Sequence, residues 1–270
     1  MMSAVELCTA DVWGELLRSE VQARVRGVMR EMDVCLAEVL TVAETEGKIG
    51  SGVRKQTALK KNRDSLASTG VVWQACDAVL ELETLDVGGL AVRKAEMYRD
   101  MIKDAIEELQ DWGQEADSED EDDDVADSAD EAKGPMRDSI EDMFNANNKL
   151  PKDKPDLKKQ LDEAIGKLKK INMLYTATIK RRLKTFTPAV ARMSKHVSTM
   201  DEVIDQLKEI PEMVDELANA FYELEPSLIE LQITAIVSEA EEFIKPIKLS
   251  WDGKEDEFTA WTTKWTEVIK

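Results

Sequence analysis

Apolar residues recur at intervals of three and four along most of this 270-residue chain, which is the period of amphipathic helices. In the first such segment, about residues 4–45, they include Val12, Leu16, Val21, Val25, Val28, Met32, Leu36 and Leu40. Glycines in "EGKIGSG" end this helix, and a second is predicted over about 53–82. The stretch "ETLDVGG" separates it from a third helix, about 89–114. Long helices with short connections predict an up-and-down bundle.

The second half of the chain repeats this pattern between prolines. A short helix is predicted from Pro135 to about 145, and longer ones over about 156–186, 189–224, 226–244 and 254–269, with a kink at Pro211 and a stop at Pro246. No segment alternates with the period of a β-strand, so the predicted fold class is all-α. The predicted domains are an N-terminal helical half (1–115), an acidic linker (116–134) and a C-terminal helical half (135–270).

The acidic linker contains the strongest charge run in the chain. Ten of the fifteen residues over 117–131 are acidic and none is basic, which supplies half of the net charge of −20. Since the run has almost no large apolar side chains, we predict a mobile connector. A calcium loop is disfavoured because Asp122 stands where an EF-hand needs glycine. Ser118 and Ser128 each precede an acidic residue by three positions and are candidate phosphorylation sites.

Basic and acidic residues are also segregated along the second half of the chain. Residues 149–195 have a net charge of +10 and residues 201–243 a net charge of −12. The densest basic cluster is a candidate nuclear-localisation element or docking patch for an acidic partner, with a solvated helix face as the alternative; it comprises Lys180, Arg181, Arg182 and Lys184. We expect the acidic linker to fold back over the basic helix and mask it, more strongly when phosphorylated.

Few residues point to chemistry. The pI near 4.6 argues against a general nucleic-acid binder, and the single histidine, His196, lacks a nearby nucleophile signature. Cys8, Cys35 and Cys76 show neither metal-ligand nor disulfide spacing. We therefore predict a non-enzymatic protein without metal or cofactor. The absence of a signal peptide and of a long apolar run predicts a soluble protein of the cytoplasm and nucleus.

One segment, "STGVVWQACDAV" (68–79), resembles the cyclin-D-interacting protein family, in which a Thr-Gly-x-Val-Trp-x-x-Cys-Asp core lies in an early helix. The matching positions are Thr69, Gly70, Val72, Trp73, Cys76 and Asp77. A second segment, "EMVDELANAFYE" (212–223), is similar to a later part of the family. An acidic segment between two helical halves is a further shared trait. Differences after Tyr222 and near the C-terminal end indicate a distant, fungal-type member.

The resemblance implies an all-helical protein with two bundle-like halves, related in architecture to vinculin and talin-rod bundles. It implies a non-enzymatic regulator that binds cell-cycle and transcription proteins, either cyclin-like or of helix-loop-helix type, in nucleus and cytoplasm. Trp73, Cys76 and Asp77 are the candidate signature or protein-binding residues. We expect Trp73 to be buried and Asp77 to cap a helix or to form an ion pair. We also expect Phe258, Trp261 and Trp265 to pack in the core. The alternatives are a vinculin-like scaffold, a chaperone-like binder of basic clients and a small enzyme using His196.

Overall fold

A computed structural model describes residues 6, 8–48, 54–115, 150–151, 154–191 and 194–270. The described residues form α-helices and one 3-10 turn, without a strand, which confirms the all-α class. The helices are α1 (Ala10–Trp13), α2 (Glu15–Lys48), α3 (Arg54–Glu115), α4 (Pro155–Arg181), α5 (Pro188–Ala191), α6 (Ser194–Tyr222), α7 (Pro226–Ile247) and α8 (Glu257–Ile269), with the 3-10 turn at Leu183–Thr185.

The chain divides into two compact units. Unit 1 comprises residues 1–91 and 186–201, and unit 2 comprises residues 92–185 and 202–270. These units differ from the halves expected from the sequence, because the later part of α3 belongs to unit 2 and a short stretch from the second half completes unit 1. The predicted linker, 116–134, and the predicted helix after Pro135 lie outside the described residues.

In unit 1, α2 and the first part of α3 form an antiparallel pair. Near the start of α2, Arg24 donates to the Ala78 carbonyl and contacts Glu81 at 3.1 Å. Farther along α2, the Ser68 hydroxyl donates to Glu38. The apolar side chains of Val25 and Val28 are almost fully buried, as expected on the helix face that meets the partner helix.

Asp86 divides α3 into two parts. Its backbone is outside the helical region (φ 48°, ψ −176°), which is a strained conformation for a residue other than glycine. The Asp86 carboxylate accepts a hydrogen bond from the Gly89 amide at 2.8 Å and so caps the following helical segment. Gly88 lies against the carbonyl oxygen of Phe186, where an added Cβ would come within 2.4 Å. The predicted interruption at "ETLDVGG" is therefore confirmed as a one-residue break.

A second interruption lies between α1 and α2. Gly14 adopts a positive φ of 84°, which favours glycine, and an added Cβ there would be 2.6 Å from Val197 Cγ1. The next two amides, of Glu15 and Leu16, donate to the Asp201 carboxylate at 2.8 and 3.0 Å. The N-terminus of α2 is thus capped by a residue far along the chain, at the end of unit 1.

Unit 2 is a helical bundle in which α4 packs against α7 and α8. Long-range side-chain hydrogen bonds join its layers: the Tyr175 hydroxyl donates to the Leu207 carbonyl at 2.7 Å, and the Trp265 indole donates to the Lys170 carbonyl at 2.9 Å. Pro211 is buried within α6, and α7 extends one residue past Pro246. Phe258 and Trp265 are buried as predicted, and Trp261 is half-buried.

No helix in the described parts of the chain is long and apolar enough to cross a membrane. The vinculin- and talin-rod-like arrangement implied by the resemblance stays a prediction.

Candidate functional site

Exposed apolar side chains are concentrated in unit 1. Among the described residues, eleven of the seventeen large hydrophobic side chains that are exposed belong to α1, α2 and the first part of α3. Two helices that pair along one seam leave their outer faces uncovered, so apolar residues outside the seam stay in contact with water. Contiguous apolar surface of this kind marks protein-interaction sites.

On α2 all the large exposed apolar residues except Val34 share one side of the helix. They form the α2 stripe: Met29, Met32, Leu36, Val39 and Leu40. Flexible methionines at one end of such a stripe adapt to different apolar partners. The α2 stripe is therefore a candidate binding surface for a helix of another protein.

On α3 the exposed apolar side chains include Trp73 and Leu80, which are seven positions apart and so share one helix face. We call this pair the α3 stripe; half-buried Cys76 lies between them. Trp73 is 64% exposed, so the expectation that it is buried in the core is wrong. The physical reason is that α2 covers a different face of α3, the one with Val72, Ala75 and Val79.

Asp77 is exposed and lies inside α3, away from a helix end, so it does not cap a helix as expected. It has no ion-pair partner among the described residues. The sequence around both stripes has an acidic balance: residues 29–44 include four acids and Arg30, and residues 67–85 include three acids and no base. Glu31 pairs with Arg30 and Glu81 with Arg24, which neutralises part of this charge.

The second family-like segment, 212–223, contributes instead to the core of unit 2. Val214 and Leu217 are fully buried, and the Tyr222 hydroxyl donates to Glu108 at 2.6 Å. Burial and this bond raise the pKa of Tyr222 well above its usual value. Burial, with the nearby charges of Glu108 and Glu212, also raises the pKa of Asp215. These interactions make the segment structural.

Arg182, predicted to be part of a basic docking patch, is a buried structural residue with 1% exposure. Its guanidinium donates to the carbonyl oxygens of Ile247 and Lys248 at 2.7 and 3.0 Å, and to both oxygens of Asp256 at 2.8 and 2.9 Å. It also lies over the Phe258 ring, 4.3 Å from the ring centre. The docking role is wrong for this residue because its donors are used to join the end of α4 to α7 and α8.

The remaining members of the basic cluster are exposed. Arg181 pairs with Glu257 at 2.8 Å and Lys184 with Glu96 at 3.4 Å, whereas Lys180 is exposed on the last turn of α4. Acidic partners from the same unit thus neutralise part of the cluster. Its use as a docking patch stays a prediction for Lys180, Arg181 and Lys184.

Acidification is expected to weaken the contact between Arg182 and Asp256. Hydrogen bonds from Arg182 hold the pKa of Asp256 well below its usual range, helped by the Thr259 amide. A carboxylate with a lowered folded-state pKa stabilises the fold fully above its unfolded-state pKa, about 4, and loses that effect as the pH falls below it. We expect the urea midpoint to fall more steeply between pH 5 and pH 3 in the wild type than in Asp256→Asn. Equal slopes would contradict this.

The candidate phosphorylation sites, Ser118 and Ser128, lie outside the described residues, and masking by the acidic linker stays a prediction. His196 is half-buried in α6. In the described ranges, no group of three His, Cys, Asp or Glu side chains is placed to hold a metal ion.

Comparison with known proteins gives two matches. Residues 1–115 match the model of a family described as "Grap2 and cyclin-D-interacting, N-terminal", and this range contains both stripes and the "STGVVWQACDAV" segment. An uncharacterized protein of Schizosaccharomyces pombe is 22% identical over 99% of this chain and 70% of its own length. No solved structure gives a significant match. The resemblance drawn from Trp73, Cys76 and Asp77 is thereby confirmed for residues 1–115, which are similar to the Grap2 and cyclin-D-interacting protein family.

Proposed function

We propose that this protein is a non-enzymatic regulator of cell-cycle progression and transcription that binds other proteins through the α2 and α3 stripes. The observation that carries the proposal is the 64% exposure of Trp73 within the family-like segment. A tryptophan left in water at this position contributes nothing to the core, yet tryptophans are enriched among residues that dominate binding energy. The similarity of residues 1–115 to a cyclin-D-interacting family supports cyclin-like or helix-loop-helix-type regulators as the proposed partners.

The charge around the stripes favours one kind of partner segment. Because residues 29–44 and residues 67–85 each have a net charge of −3, a second copy of the same surface would be repelled. An amphipathic helix with lysine or arginine beside its apolar face complements both the apolar stripes and the acidic rims. With partners of this kind, the proposed location of the protein is the nucleus and the cytoplasm.

Replacing Trp73 with alanine is expected to weaken partner binding about 30-fold, because truncation of a central interface tryptophan costs about 2 kcal/mol or more. The measurement is calorimetric titration of the full chain with a purified D-type cyclin and with a helix-loop-helix domain. Met173→Ala is the matched control, since Met173 is 60% exposed in unit 2. It should change the affinity less than twofold.

Two results would contradict the proposal. If neither protein binds the wild-type chain, the assigned partner class is wrong. If one binds but Trp73→Ala and Met173→Ala bind it equally well, the partner uses another surface. Unchanged circular dichroism of both variants establishes that the fold is intact.

A further inference from the structure

A pocket of about 700 Å³ lies within unit 1, separate from the residues of both stripes. Its volume falls in the range of typical ligand sites, roughly 300–1,000 Å³. Its walls come from α1 and the start of α2, from the α3 segment around the break at Asp86, and from residues 186–191 with Val197. Most of its lining is apolar, including Val12, Trp13, Leu82, Val87, Phe186 and Pro188.

The backbone around this pocket is fixed by specific contacts. The strained residue Asp86 lines the pocket, and its carboxylate holds the Gly89 amide at 2.8 Å. Gly88 packs directly against the Phe186 carbonyl, so the backbone at Phe186 approaches α3 closely. Strained residues held in place by their surroundings concentrate at binding sites. The contacts at the break in α3 therefore fix the shape of the pocket.

Apolar side chains extend from the pocket to the surrounding surface. Val12 and Trp13 line it but stay 66% and 49% exposed. A ligand that also covers these two side chains buries more apolar area than one confined to the cavity. A chain segment that enters the pocket and continues along α1 satisfies this condition better than a compact small molecule.

The pocket also has a defined charge preference. Its charged lining residues are Glu83 and Asp86, three positions apart on α3 and both exposed, and no lysine, arginine or histidine is among the described residues that line it. A cation next to an apolar group would form an exposed ion pair with a carboxylate here, at the edge of the apolar wall.

We infer that this pocket binds a short segment of a partner protein in which large apolar side chains precede an arginine or lysine. The apolar side chains enter between Trp13 and Phe186, and the cation pairs with Glu83. This site does not depend on the α2 and α3 stripes, so it is a second contact for a partner, or a contact for a different one.

The test uses the full chain and three probes: the peptide acetyl-Gly-Phe-Leu-Arg-Gly-amide, the same peptide with Glu in place of Arg, and 4-phenylbutylamine. The readout is the indole N–H signal of Trp13 in heteronuclear NMR spectra, assigned with the Trp13→Phe variant. We expect the arginine peptide to shift this signal saturably, and to leave the indole signals of Trp73 and Trp265 unchanged. The glutamate peptide and the free amine should bind at least tenfold more weakly.

Variants test the charge preference and the use of the cavity separately. Glu83→Gln should weaken the arginine peptide about two- to fivefold, the usual range for an exposed ion pair. Glu44→Gln removes an exposed carboxylate of α2 that does not line the pocket and should leave the affinity unchanged. Ala191→Phe places a ring in the pocket and should abolish the shift while circular dichroism stays that of the wild type.

Three outcomes would overturn the inference. No saturable Trp13 shift with either peptide would show that the pocket does not bind such segments. Equal binding of the arginine and glutamate peptides would show that Glu83 and Asp86 do not select a cation. Tighter binding of the amine than of the arginine peptide would assign the pocket to small cationic molecules. Each result is independent of whether Trp73→Ala impairs binding of a cyclin-like or helix-loop-helix partner.

Discussion

Replacing Arg182 with alanine is expected to lower the free energy of unfolding by about 2–4 kcal/mol, because it removes a buried charged donor that makes several long-range hydrogen bonds. The variant removes the Arg182 donor from the Ile247 carbonyl, leaves the Lys248 carbonyl with the Thr259 hydroxyl alone, and leaves the Asp256 carboxylate without its cation. Unsatisfied buried groups of this kind lose their interactions with water and gain none in return. Urea unfolding followed by circular dichroism measures the change.

The adjacent arginine supplies the control. Arg181 has the same side chain one position earlier, but it is half exposed and its partner Glu257 is 80% exposed. Arg181→Ala should therefore cost less than about 1 kcal/mol. Arg182→Lys keeps the charge but loses the planar set of donors, so its loss of stability should fall between the two alanine variants. Equal effects of Arg181→Ala and Arg182→Ala would contradict the structural role of Arg182.

Replacing Gly88 with alanine is expected to destabilise the protein by about 1–3 kcal/mol, the usual cost of forcing an extra group into a packed site. The new methyl group would be 2.4 Å from the Phe186 carbonyl oxygen, which belongs to the backbone and cannot rotate away as a side chain could. Either the break at Asp86 or the chain at Phe186 must shift. Thermal unfolding followed by circular dichroism measures the loss.

Gly27 is the matched control for this substitution. It lies within α2, and an added Cβ would meet nothing within 4 Å. Gly27→Ala should raise stability by about 0.5–1 kcal/mol, because alanine favours the helix more than glycine does. The two identical changes thus have opposite expected signs. Stabilisation by both would show that Phe186 does not approach α3 closely.

Helical periodicity and breakers predicted much of the fold. The break at Asp86 follows from the two glycines of "ETLDVGG", and the starts of α4 and α7 follow from Pro155 and Pro226. The α2 stripe also follows the periodicity, but periodicity shows only that residues share a face. Whether another helix covers that face depends on tertiary pairing. Periodicity alone therefore predicts a buried Trp73, although no helix in the described parts of the chain covers it.

The prediction that Arg182 lies on the surface is wrong for a different reason. Four basic residues within 180–184 read as one surface cluster, yet α4 ends at Arg181 and the chain turns there. The acceptors of Arg182 lie 65 to 74 positions away in sequence. One local signal existed: Asp256 and Thr259 form a capping box, which fixes the carboxylate at the start of α8. The pocket left no sequence signal, because it depends on three separate segments.

The cap on α2 has a consequence for the order of folding during synthesis. Residues 1–91 leave the ribosome before Phe186 and Asp201 have been made, although unit 1 includes all of them. At translation rates of roughly 5–20 residues per second, the early helices wait about 5–20 s for the residues that complete them. During that interval the amides of Glu15 and Leu16 lack their Asp201 acceptor, and the break in α3 lacks its contact with Phe186. The nascent chain is therefore expected to need a chaperone, most of all before residue 201 emerges.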